Sequence, residues 1–80
     1  MLITGSQLKA ARALAQMDQK KLAKDAGVNV NTIRAMEARR GQTLTSGLET
    51  IQKVQGVLEK LGIEFLNHGE PGVRLKKQAD

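Results

Sequence analysis

Three helix starts are written into the first part of this chain, at Thr4, Asp18 and Asn29, each a capping side chain set between apolar residues. Thr4 serves as an N-cap with Gln7 as its capping-box partner, and Ile3 can staple against Leu8. Asp18 follows Met17 and precedes Leu22, and Asn29 follows Val28 and precedes Ile33, which repeats the staple geometry. Between the second and third starts stands Ala26-Gly27, where glycine suits the left-handed residue that ends a helix. The second and third helices are therefore short, joined by a tight turn, and fixed in their entry angles. Such a chain folds as crossed helices.

The apolar positions Leu8, Ala11, Leu14 and Ala15 carry the first helix to about Ala15, with Lys9 and Arg12 away from the centre of the stripe. The third helix is expected to end near Arg39-Arg40-Gly41, where positive side chains meet the negative end of the dipole and glycine can stop the helix. Residues 42–45 form a short polar connection. Ser46-Gly47-Leu48-Glu49 reads as a capping box for a fourth helix, whose seam Leu48, Ile51, Val54, Leu58 and Leu61 runs up to Gly62.

Beyond Gly62 the period changes to alternation. Ile63 and Phe65 oppose Glu64 and Leu66, then Val73 and Leu75 oppose Arg74 and Lys76, around a connection of turn formers from Asn67 through His68 to Gly72. This predicts a hairpin in which Glu64 faces Arg74 or Lys76. A lone two-stranded ribbon is marginal in water, so it must pack on the fourth helix or pair with a second chain. Gln78-Ala79-Asp80 is expected to fray. The fold expected is mainly α: one domain over residues 1–80, a bundle of four helices with a C-terminal β-hairpin.

Eighty residues bury a small core, which dimerisation would supplement, and the chain has no cysteine for a disulfide or a cysteine-rich zinc site. The net charge of +5 is unevenly placed. Residues 1–42 hold eight Lys or Arg against three Asp or Glu, while residues 43–80 hold five of each. A basic half joined to a neutral half suits a polyanion partner, although a basic face that only confers solubility has the same composition. No apolar run approaches the roughly 20 residues that span a bilayer, and the first residues lack the pattern of a signal peptide. The expectation is a cytoplasmic protein without membrane attachment.

From Met17 to Glu37 the sequence carries Gln19, Leu22-Ala23, Ala26-Gly27-Val28, Thr32-Ile33 and Glu37 at a characteristic spacing. In this it resembles the helix-turn-helix of the Cro and phage-repressor-like (XRE) family, here over residues 18–40. The spacing also has its own physical sense. Ala23 permits close approach of the second and third helices, and Leu22, Val28, Ile33 and Met36 fill the wedge between them. With Ile33 and Met36 inward, Asn31, Arg34, Ala35 and Ala38 take the opposite side of the third helix, a short polar face that fits a major groove.

The resemblance implies a lambda-repressor-like bundle that binds double-stranded DNA. By that likeness Val30, Asn31, Arg34 and Ala35 are base-reading positions. Asn31 can pair bidentately with adenine, Arg34 can reach guanine or phosphate, and Val30 or Ala35 can touch a thymine methyl. Asn31 is also a second candidate cap, and Arg34 can equally be a solvated charge. Gln19, in the first turn of the second helix, resembles a phosphate clamp, and Lys20, Thr32, Arg39, Arg40 and Thr43 are further candidate phosphate contacts. Either arginine can instead serve the helix dipole. Arg12 and Glu37 resemble the family's structural ion pair.

An enzyme is not expected: the single histidine, His68, lies in a turn, and the carboxylates are scattered. No ligand spacing for a metal exists, and no cofactor is implied. Phe65 is the only aromatic residue, which disfavours single-stranded RNA. The likeness implies a regulator, more simply a repressor, acting as a homodimer on an inverted repeat, with residues 46–77 making the dimer contact. This chain has strands where longer relatives carry a fifth helix, which leaves the dimer geometry open. The rival is a protein-binding module, an antitoxin or anti-activator, that keeps the fold.

Overall fold

The computed structural model describes residues 1–67 and 69–76. His68, expected in the hairpin connection, lies outside the described residues, as do Lys77 and the expected fray at residues 78–80. The elements are α1 (Gly5–Leu14), α2 (Gln19–Ala26), α3 (Val30–Ala38), α4 (Leu48–Lys60), β1 (Ile63–Leu66) and β2 (Gly72–Leu75). The fold is mainly helical, four helices followed by a two-stranded antiparallel hairpin.

Each of the first three helices begins on the side chain its sequence offers. Thr4 accepts from the Gln7 backbone N–H, and Gln7 reaches back to complete the capping box. Asp18 accepts from the Lys21 N–H, and Asn29 from the Asn31 N–H. Gly27 closes α2 in the left-handed conformation at φ 69°. Asn29, not Asn31, is therefore the cap of α3.

Three local expectations are corrected. The left-handed residue after α3 is Arg40 at φ 52°, not Gly41, because the Arg40 carbonyl is turned to accept from the Ser6 N–H at 2.8 Å. The Ser46 capping box does not form: Gly47 is the N-cap of α4 and no side chain caps it. Leu44, buried and bonded through its N–H to the Ile3 carbonyl at 2.8 Å, anchors the approach to that helix. The seam of α4 is also shorter than its pattern, since Ile51, Val54 and Leu58 are buried while Leu48 and Leu61 stay 57% and 42% exposed.

The core gathers side chains from every element before β2, among them Leu2, Leu8, Leu22, Ile33, Met36, Val54, Leu58, Ile63 and Phe65. The hairpin has the expected face, with Ile63 and Phe65 inward, and the register Glu64↔Arg74. Arg74 and Lys76 both reach Glu64, at 2.9 and 3.5 Å. The bond from Arg74 holds the Glu64 carboxyl below its ordinary value. The hairpin does not wait on α4 alone: it packs on α1 as well.

Gln7 makes that attachment. Buried to 2% exposure, it accepts through Oε1 from the Ile3 and Thr4 N–H groups at 2.7 and 3.1 Å. Its Nε2 donates toward the Leu66 carbonyl, Asn67 Oδ1 and the Gly72 carbonyl at 3.1–3.3 Å. One amide thus caps the first helix and seats both strands.

Candidate nucleic-acid interface

The candidate site is the outer face of α3 with the start of α2 beside it. Ile33 and Met36 are buried against α1 and α2, which turns Asn31, Arg34, Ala35 and Ala38 outward; all four are exposed. Val30 is half-buried against the core, so only part of it is available to a partner. Arg34 Nη1 donates to Asn31 Oδ1 at 3.0 Å, joining the two polar side chains of this face. A spacing of three on a helix makes such a pair readable in the sequence.

Gln19 is half-buried, and its amide Nε2 donates to Glu37 Oε1 at 3.3 Å. That carboxylate is also gripped by Arg12, Nε to Oε2 at 2.8 Å and Nη2 to Oε1 at 3.0 Å. Arg12 Nη1 adds a bond to the Met17 carbonyl at 3.0 Å, at the corner between α1 and α2. One guanidinium and one carboxylate therefore connect α1, α2 and α3. The hydrogen bond to Glu37 raises the Arg12 pKa above its ordinary value. The Arg12–Glu37 pair was legible; the attachment of Gln19 to it was not.

The remaining candidate contacts lie around this face. Lys20 is exposed on α2, and Thr32 is half-buried in the first turn of α3. Arg39 Nε donates to the Thr43 carbonyl at 3.1 Å, which folds the loop after α3 back on its end. Arg40 and Thr43 are exposed, and Thr43 also forms a β-bridge with Thr4. Lys21 is engaged with Asp25 one turn on, at 3.0 Å.

Gly5 was missed by sequence reasoning. A Cβ there would stand 2.3 Å from the Met36 carbonyl oxygen and 2.8 Å from the Arg40 nitrogen. The first turn of α1 lies directly on the end of α3, and its glycine is the only sign the sequence gives.

Among the described residues no group of three or more His, Cys, Asp or Glu could hold a metal ion, and no helix is long and apolar enough to cross a membrane. No family model matches this chain, and a search of curated proteins finds no match.

Proposed function

We propose that this protein is a small sequence-specific regulator that binds double-stranded DNA with a lambda-repressor-like helix-turn-helix, α3 entering the major groove. The observation that carries the reading is the outward face of α3, where Asn31 and Arg34 stand among small residues on a helix backed by a rigid ion pair. That face is narrow and polar, as a groove-reading surface must be. It belongs to the half of the chain that holds the whole net charge of +5. Gln19, Lys20, Thr32, Arg39, Arg40 and Thr43 flank it as phosphate contacts, and Val30 and Ala35 offer apolar contact to bases.

The protein acts in the cytoplasm, without catalysis or cofactor, as a repressor that occupies its promoter. Leu48 and Leu61, exposed at the two ends of α4, supply apolar surface for a homodimer on an inverted repeat with half-sites about 34 Å apart. The same leucines favour the second reading, a protein-binding module such as an antitoxin or anti-activator. A fluorescence-anisotropy titration with duplex DNA at about 50 and 200 mM salt separates the two. DNA binding requires affinity that falls steeply with salt; no binding at micromolar protein, or affinity indifferent to salt, overturns it. Sedimentation at tens of micromolar reports the dimer, and a monomeric mass counts against that part.

A further inference from the structure

Asn31 does not spend its backbone or side chain on capping. Its N–H is already held by Asn29 Oδ1 at 2.7 Å, and its side-chain oxygen faces Arg34 Nη1 at 3.0 Å. An amide owns one acceptor oxygen and two N–H donors, and a guanidinium has donors only. With the oxygen turned to Arg34, the atoms left facing solvent are the Asn31 amide hydrogens and the remaining guanidinium hydrogens. Ala35 and Ala38, exposed on the same face, add no side-chain acceptor.

A face of this kind cannot make the usual bidentate pair with adenine. That pair needs the amide oxygen to accept from the adenine amino group, which would be driven against the guanidinium, donor against donor. Cytosine likewise presents an amino donor. Guanine and thymine present carbonyl oxygens, and guanine adds N7. Residues three apart on a helix rise about 4.5 Å, close to the roughly 3.4 Å between stacked base pairs, so the two side chains address neighbouring steps.

We propose that Asn31 and Arg34 form a single donor-only reading head that selects guanine and thymine at two neighbouring positions of one strand, with guanine at the Arg34 step. The inference rests on the DNA-binding reading and specifies its ligand.

The test is selection of bound sequences from randomised duplexes by the whole protein, followed by anisotropy titrations on the selected duplex. The expected consensus has guanine or thymine at two adjacent positions in each half-site. Replacing the guanine by 7-deazaguanine, which lacks the N7 acceptor, lowers affinity by about five- to 150-fold. Asn31→Asp keeps the Arg34 contact but presents an acceptor, so its selected sequences move to cytosine or adenine at that step. Thermal melting checks that the variant is folded. An adenine at the Asn31 step whose amino group is needed for affinity overturns the proposal, as does an unchanged consensus for Asn31→Asp. Sequences recovered with no preference at these steps overturn it while DNA binding stands. Absence of salt-dependent affinity for the random pool brings down the DNA-binding reading and this inference together.

Discussion

A methyl group at position 5 has nowhere to go. The atoms that would meet it are the Met36 carbonyl and the Arg40 nitrogen, backbone of a helix end that cannot swing aside as a side chain can. Gly5→Ala is expected to cost about 1–3 kcal/mol or more, measured as a lowered urea midpoint, even though alanine is the better helix former. Unchanged stability would show that α1 and α3 can separate cheaply. The opposite loss, of a partner, operates at Glu37, whose side chain is 7% exposed while that of Arg12 is 19% exposed. Glu37→Ala leaves a half-buried guanidinium unpaired and is expected to cost about 3 kcal/mol, the lower end for breaking such a pair because Arg12 keeps some water. Glu37→Gln retains an acceptor for Gln19 and should lose less. Equal melting temperatures for the two variants would deny the ion pair its role.

Between elements, the decisive group is the Gln7 amide, whose two hydrogens are shared among three acceptors of the hairpin. Gln7→Glu keeps the oxygen that caps α1 but turns a carboxylate toward those acceptors. Hydrogen exchange is expected to speed in β1 and β2 by an amount equivalent to about 1–3 kcal/mol, with α2 and α3 less affected. Uniform loss across the chain would mean that the hairpin does not open separately. Much of the element order was legible, because Thr4, Asp18 and Asn29 each act within one turn of helix, and the hairpin register follows from its alternation. What was not legible depends on residues distant in sequence. Ser46 was a plausible cap, but Leu44 is tied to Ile3, and the start of α4 falls one residue later. Gln7 looked complete as a capping partner, since nothing local shows that its other atom faces residues 66–72. At the candidate site, the exposed face of α3 follows from helical period, whereas Gln19 joins Glu37 across 18 positions in the chain.

For the molecule as a whole, the uneven charge suggested a basic head and a detachable neutral tail. The structure interleaves them. β1 and β2 of the neutral half lie on α1 of the basic half, and α4 packs on α2. Ending the chain after Gly62 would uncover α1 and remove Ile63 and Phe65, which are 3% and 8% exposed. Each such side chain contributes about 1.5–3 kcal/mol by burial, a large share of what a small domain has in hand. Residues 1–62 alone are expected to lose cooperative melting in circular dichroism; a truncated chain that melts sharply would restore the idea of separable halves.

The junction of Arg12, Glu37 and Gln19 has a mechanical meaning at this scale. It works as a truss: struts from three helices meet at one carboxylate, and a fourth runs to the Met17 carbonyl at the corner. A pull on Gln19 is passed through Glu37 to Arg12 and borne by the whole bundle, not by a lone side chain. Because the joint is set when the chain folds, a ligand meeting α2 and α3 finds their spacing already fixed, and little further ordering is charged against its binding.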